Sequence, residues 1–300
     1  MGGGHPAETG EVRVNAPRRV LDPREAARLR ARLLRARRAI LLCDFDGTLT
    51  RLRREPDAVR LGAGMRRVLE AWRNAGAVVG LVSGRELADV EARAGISGIW
   101  YAGGHGYDLR DPRGHVISFA TARDEERAER VANWLAGRLR GIRGIKVEAK
   151  RASVAVHYRQ ASPAAARRAE QVVREALARE PKLQLMHGKR MWELLPARRV
   201  DKWTAVLRLL EKERARNSDF VAYLGDDVTD ETVFRRMRRG MTVRVGGCEK
   251  TAARYRAETI GEVKEFLRWC LREREGTEKI AHRARRVGRR ARNRRAGAVR

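Results

Sequence analysis

Aspartates gather at two places in this 300-residue chain, in company that suits phosphorus chemistry. The first place is Asp44-Phe-Asp46-Gly47-Thr48, and the second is Gly225-Asp226-Asp227-Val-Thr-Asp230-Glu231. An aspartate at a strand end can attack phosphorus and form an aspartyl-phosphate, which makes Asp44 a candidate nucleophile. A carboxyl two residues on, Asp46, can protonate the leaving alkoxide and then deprotonate the attacking water. Gly47 gives the turn room, and Thr48 offers a hydroxyl donor. Carboxylates placed together raise one another's pKa and destabilise a fold unless a cation neutralises them. A hard divalent cation such as Mg²⁺ answers that need, because it binds one or two carboxylates and completes its shell with water and phosphate oxygens. Ser83, in Ser83-Gly-Arg85, can donate to a phosphate oxygen. Lys202 can neutralise nucleophile and phosphate together. Phosphoryl transfer is stabilised mainly by positioning and opposite charge.

These residues need elements that bring them together. Asp22 to Arg38 has helical periodicity. Ala39 to Cys43 is a continuous apolar run, as in a strand buried on both faces, and it ends at Asp44. Helices are expected over Ala63–Asn74 and Glu86–Ala94. Strands are expected over Ala77–Val82, ending at Ser83, and over Gly98–Ala102, ending at Gly103-Gly-His105-Gly-Tyr-Asp108. The alternation then breaks. Asp124–Arg140 and Pro163–Arg179 read as helices, each followed by two short strands: Ile145–Glu148 with Ser153–Tyr158, and Leu183–Met186 with Met191–Leu195. That order describes an α+β insert with an antiparallel sheet. The parallel pattern resumes with a helix over Asp201–Arg214 and a strand over Phe220–Leu224 that ends at Gly225. A helix over Thr232–Arg238, a strand over Thr242–Val245 and a helix over Ile260–Arg272 follow. The expected fold is therefore α/β: a doubly wound, parallel, Rossmann-like core interrupted by an inserted α+β cap domain. In such a sheet the carboxyl ends of the strands line the ligand crevice. The expected division is a flexible arm over 1–21, core over 22–117 and 197–272, cap over 118–196, and a basic, disordered tail over 273–300. The cap is expected to swing on connections near 110–122 and 196–200.

Composition bounds the setting. Hydrophobic residues make up 43%, enough for a core, so global disorder is excluded. No apolar run reaches the ~20 residues of a membrane span, and residues 1–8 do not read as a secretory signal. The three cysteines, Cys43, Cys248 and Cys270, are odd in number and widely separated, which fits a reducing cytoplasm. The net charge is +29, and residues 272–300 hold twelve basic and three acidic residues. Such a chain is drawn to polyanions. The tail lacks interleaved aromatics, so base stacking is not suggested.

The four loops together resemble the haloacid-dehalogenase-like phosphohydrolase superfamily. Asp44-x-Asp46-Gly-Thr48, Ser83, Lys202 and Gly225-Asp226-Asp227-x-x-Asp230 match its four motifs in order. The detail is closer to trehalose-6-phosphate phosphatases, through Ser83-Gly-Arg85, His105-Gly, the Gly-Asp-Asp-Val-Thr-Asp-Glu loop and Lys189-x-x-Trp-Glu193-Leu-Leu-Pro196. The resemblance spans roughly residues 37–271. It implies Asp44 as nucleophile and Asp46 as general acid/base. It implies Mg²⁺ held by Asp44, the main-chain carbonyl of Asp46, and Asp226. Thr48, Asp227 and Asp230 would support these, with Asp227 or Asp230 orienting Lys202. Sugar contacts would fall on Arg85, His105, Lys189, Glu193, Glu148 and Lys150. Asp108 and Trp203 depart from the family pattern, where Glu and Gly are expected.

Plainer readings stand beside these. Asp44 and Asp46 suit a turn after a strand. Asp226 and Asp227 suit a helix N-cap, a task that Thr229 or Asp230 fills better. Ser83 suits a cap for the helix near Glu86, and His105 a turn between glycines. Lys189 and Glu193, at i and i+4 of a strand, share a face that water can solvate, and Glu148 and Lys150 read the same way. The functional expectation is Mg²⁺-dependent hydrolysis of trehalose 6-phosphate. Its rivals are the same chemistry on sucrose phosphate, a glycosyl phosphoglycerate or a hexose phosphate, and a polyanion-binding protein whose catalytic loops are vestigial. The oligomeric state is not readable from sequence.

Overall fold

The computed structural model describes residues 17–52, 58–188, 190–197, 200–247 and 250–276. The chain begins with β1 (Arg18–Arg19), α1 (Pro23–Arg35), β2 (Ala39–Cys43), α2 (Ala63–Asn74), β3 (Val78–Val82), α3 (Leu87–Ala94), β4 (Trp100–Gly103), β5 (Asp108–Arg110) and β6 (Val116–Ser118). It continues through α4 (Ala122–Leu139), β7 (Lys146–Ala149), β8 (Val154–His157), α5 (Pro163–Arg179), β9 (Leu183–Gly188) and β10 (Met191–Pro196). It closes with α6 (Lys202–Lys212), β11 (Phe220–Gly225), α7 (Glu231–Arg236), β12 (Met241–Val245), β13 (Tyr255–Ala257) and a helix over 260–276, here α8.

The larger sheet has the order β1-β13-β12-β11-β2-β3-β4-β5-β6. It is parallel from β1 to β4, and β5 and β6 close the far edge as an antiparallel hairpin. Successive residues of β2 serve opposite faces. Leu41 and Cys43 join a core with Leu29 of α1, Trp72 of α2, Val90 of α3 and Phe266 of α8, while Ile40 and Leu42 pack with Val206 of α6 and Phe234 of α7. That two-sided burial is why Ala39–Cys43 is apolar at every position. Trp72 is 2% exposed, and its indole N–H donates to the Leu267 carbonyl (3.1 Å), tying α2 to α8. Cys43 and Cys270 are buried free thiols.

The smaller sheet, β7-β8-β10-β9, is antiparallel throughout. Helices α4 and α5 cover one face, where Leu135, Val173, Trp192 and Leu194 meet. Glu193 lies between Trp192 and Leu194 and so points to the opposite face. Helix starts follow local chemistry: Thr121 and Asp124 form a capping box for α4, and Ser162 with Pro163 opens α5.

Three expectations need correction. The β5–β6 hairpin belongs to the larger sheet, so the first connection between the sheets is residues 119–121 rather than 110–122. Its strands have three residues each, and β5 carries two charged side chains, which gives no run to detect. The loose arm does not hold for residues 18–20. There β1 pairs with β13 and Val20 is 1% exposed, although residues 1–16 lie outside the described residues. Finally, α8 continues to residue 276, past the expected start of the tail, whose residues 277–300 lie outside the described residues.

Candidate active site

Strands β11, β2 and β3 are neighbours, so their carboxyl ends deliver Asp226, Asp44 and Ser83 to one crevice. The two aspartate loops touch because Gly47 lacks a side chain. Its φ is +87°, and a Cβ there would run into the Asp226 carboxylate. Beside it the Thr48 hydroxyl donates to Asp226 Oδ1 (3.3 Å). Ser83 is 1% exposed, and its Oγ accepts the main-chain N–H of Arg85 (3.1 Å).

Lys202 is the first residue of α6, held there by a capping box in which the Asp201 carboxylate accepts the Thr204 N–H (2.9 Å). Trp203 packs on the neighbouring core and does not disturb the helix start. From this position Lys202 Nζ donates to Asp44 Oδ1 (2.6 Å) and Asp230 Oδ1 (2.8 Å). Lys202, Asp44 and Asp230 are all buried. Burial disfavours the ammonium, but Asp230 and Asp44 outweigh it and hold the Lys202 pKa above its usual value. Burial pushes the Asp44 carboxyl well above the usual range, and the charges of Asp230 and Asp226 add to that push against Lys202.

Oxygens of Asp44, Asp226 and Asp230 lie within 4.8 Å of one another. Asp230 is already saturated. Its Oδ2 accepts the N–H groups of Asp226 and Asp227 (2.9 Å each), and its Oδ1 accepts Lys202 and the Tyr223 hydroxyl (2.6 Å). Asp44 and Asp226 therefore face the crevice beside one lysine that is bonded to Asp44 and Asp230, and burial makes the excess negative charge costly. A divalent cation relieves the cost, so the donor set fits one.

The same geometry decides between the two candidates for orienting Lys202: Asp230 contacts it. Asp227 instead accepts the Val228 N–H (2.7 Å) and caps the one-turn 3₁₀ helix at 228–230. The side-chain cap expected for the next helix at Thr229 or Asp230 is absent from α7, because Asp230 turns back toward the lysine; Asp227 caps only the preceding 3₁₀ turn.

The Asp46 carboxylate lies in the fork of Arg85, with Nε to Oδ2 at 2.5 Å and Nη2 to Oδ1 at 2.9 Å. Arg85 also reaches Asp89 (2.9 Å), which in turn accepts from Arg93 (2.7 Å). Arg85 is thus held between the Asp46 and Asp89 carboxylates at the edge of the crevice.

Across the crevice the smaller sheet presents Glu193, 0% exposed. It accepts from Lys150 Nζ (2.9 Å) and the Ser153 hydroxyl (2.7 Å), and His105 Nε2 lies 3.1 Å from its other oxygen. Burial pushes the Glu193 carboxyl up, but Lys150 and His105 outweigh it and leave it well below the usual range. His105 has φ +57° and stacks where a Cβ on Gly84 would sit, which explains the bare Gly84. Glu148 bonds His157 (2.6 Å), which holds its carboxyl below the usual range.

Of the sequence-expected residues, the structure gathers Asp44, Thr48, Asp226, Asp230 and Lys202, sets Asp46 against Arg85, and joins His105, Lys150 and Glu193. Lys189 lies outside the described residues. Asp108, which departs from the family pattern, bonds Arg151. Tyr223 was missed, because a tyrosine within an apolar strand reads as core; the signal was its place three residues before Asp226.

Residues 42–260 match the family model described as Trehalose-phosphatase. A trehalose-phosphate phosphatase of Mycolicibacterium paratuberculosis is 37% identical over 247 residues, covering 78% of this chain and 62% of that protein. A Mycobacterium tuberculosis protein described as an uncharacterized glycosyl hydrolase is 38% identical over 247 residues, covering 79% of this chain and 18% of the relative. The chain thus spans under two thirds of these curated relatives. The C-terminal domain of a C. albicans trehalose-6-phosphate phosphatase superposes with a TM-score of 0.71 at 23% identity, over 86% of this chain and 99% of that one.

Proposed function

The chain belongs to the trehalose-phosphatase family, and from that premise we propose that it is a Mg²⁺-dependent phosphatase releasing phosphate from trehalose 6-phosphate. The observation that carries the proposal is the buried Lys202 bridge between Asp44 and Asp230 beside Asp226, an arrangement suited to a phosphorylated nucleophile. The core, residues 18–118 and 197–276, would carry the chemistry. The cap, residues 119–196, would choose the sugar.

The cap first covers the sugar and excludes bulk water. The sugar's hydroxyls meet Glu193, Lys150 and His105, and Glu148, Lys189 and Arg85 are the further contacts that the family resemblance implies. An Asp44 oxygen bonds to phosphorus as the bond from phosphorus to the sugar oxygen breaks, and that oxygen takes a proton from Asp46. Arg85 must loosen from Asp46 for this, and the incoming phosphate offers it a competing anion. Lys202 holds Asp44 and a phosphoryl oxygen together, while the Ser83 and Thr48 hydroxyls fix the remaining oxygens. Water then gives a proton to Asp46 and attacks phosphorus, which frees Asp44 and phosphate. Asp44, Asp226 and the Asp46 carbonyl would hold Mg²⁺, which supplies charge neutralisation and in-line orientation when bound. Asp227 and Asp230 keep this frame rigid.

The test is phosphate release from trehalose 6-phosphate with Mg²⁺, beside EDTA and a panel containing sucrose phosphate, glucosyl phosphoglycerate and hexose phosphates. We expect EDTA to stop release and trehalose 6-phosphate to lead the panel. A different leader would leave the chemistry standing and reassign the cap.

No helix among the described residues is long and apolar enough to cross a membrane, and a cytoplasmic setting is our reading. The +29 charge favours a second, nonspecific activity toward polyanions. Deleting residues 277–300 is expected to preserve turnover while heparin–agarose retention moves to lower salt. Unchanged retention would place polyanion binding on the body of the protein.

A further inference from the structure

One residue ties the smaller sheet to the larger one with more polar contacts than the proposed chemistry uses. Arg151 sits in the turn between β7 and β8, next to Lys150. Its Nη1 pairs with Glu125 of α4 (3.1 Å), on its own side of the crevice. Its Nη2 crosses over to Asp108 of β5 and the Ser118 hydroxyl of β6, and its main-chain N–H donates to the Glu86 carboxylate. Lys150 extends the same crossing by donating to the Gly84 carbonyl (3.2 Å). In a strongly basic chain, two carboxylates converge on this single guanidinium and a third accepts the main-chain N–H of the same residue.

We propose that Arg151 is a positioning residue that latches the β7–β8 turn onto the core, and thereby sets Lys150 against Glu193. The inference rests on the phosphatase reading for its kinetic consequence, but the latch itself does not depend on it. When the cap lifts, Asp108 loses its guanidinium and Glu86 its N–H donor, while Glu125 travels with Arg151, so closure is favoured. Arg151 is 44% exposed and Glu125 41%, so the pairs are reachable by water and salt. Exposed ion pairs are individually weak and screened, which suits a contact that must break in each catalytic cycle. Asp108 is 15% exposed and forms the firmer side of the latch. The pairing also explains the aspartate at position 108: its short side chain meets a long arginine from the cap instead of reaching the sugar.

The test compares Arg151→Ala, Asp108→Asn and the exchanged pair Arg151→Asp with Asp108→Arg. Spin labels on cysteines introduced at Arg113 and Glu175, in a protein lacking Cys248, report the distance between the sheets without any substrate. Both single variants are expected to broaden and lengthen that distance, and the exchanged pair to restore it. Raising salt should lengthen it in the parent and change it less in Arg151→Ala. KM for trehalose 6-phosphate is expected to rise roughly fivefold, the scale of an exposed charge pair, while kcat for p-nitrophenyl phosphate, which has no sugar to hold, stays within about twofold. Unchanged distances and salt response in both single variants would overturn the latch. If the parent hydrolysed neither ester, the phosphatase reading would fail, and the label distances would still judge the latch.

Discussion

Asp44→Asn is expected to lose at least about 10⁴-fold in turnover of trehalose 6-phosphate while still binding it, because an amide cannot form the phosphorus bond. The same variant should melt a few degrees higher than the parent in EDTA. In the folded chain, burial and the Asp230 and Asp226 charges raise the Asp44 pKa against the pull of Lys202. A raised carboxyl binds its proton more tightly folded than unfolded. Its folded form therefore loses stability as pH climbs above the unfolded carboxylate range, around 4, and regains it as pH falls. Asparagine removes that dependence. Calorimetry in EDTA and in Mg²⁺ from pH 4 to 8 checks it: the gain should shrink with Mg²⁺ present. Substantial turnover in the variant would remove Asp44 from the nucleophile role, and an equal or lower melting temperature in EDTA would mean Asp44 costs the fold nothing.

Lys202→Met is expected to damage both activity and fold. It leaves Asp44 and Asp230 facing each other, buried, without the ammonium that now donates to both at 2.6 and 2.8 Å. Breaking a buried pair by removing one partner costs about 3–5 kcal/mol, and loss of a preorganised cation at the phosphoryl group costs about 10²–10³ in kcat. Urea denaturation and steady-state kinetics in Mg²⁺ separate the two effects. The Tyr223 hydroxyl and the two N–H groups on Asp230 would survive, so the carboxylate keeps its place and the loss reports on Lys202 itself. A variant with full stability and turnover would show that Lys202 is a spectator.

Stability and chemistry are opposed at this site. A wholly apolar cluster at the ends of β2 and β11 would fold better and react with nothing. The chain accepts three buried carboxylates there, and it limits the cost with one lysine, one tyrosine and two main-chain N–H groups.

What could be read in the sequence was whatever depends on residues close together along the chain. Ala39–Cys43 announced a strand buried on both faces. Asp44 and Asp46 share one turn, the helix at Ala63–Asn74 begins and ends where periodicity places it, and the helix at Pro163–Arg179 begins at its Ser162 cap and Pro163. Family resemblance carried the long-range pairing of Lys202 with the aspartates, since 158 residues separate Lys202 from Asp44 and no local rule joins them.

Tertiary structure decided the rest. It chose Asp230 over Asp227 as the partner of Lys202, because only the turn after β11 aims one carboxylate inward and spends the other on an exposed cap. It drew Tyr223 out of an apolar strand into that network. It placed Arg85 on Asp46, and it joined Arg151 of one sheet to Asp108 of the other. Each is a contact between groups whose directions are set by packing, and side-chain direction is not written in residue order. The sequence by itself determined which chemistry this protein can attempt, and folding decided which oxygen each cation meets.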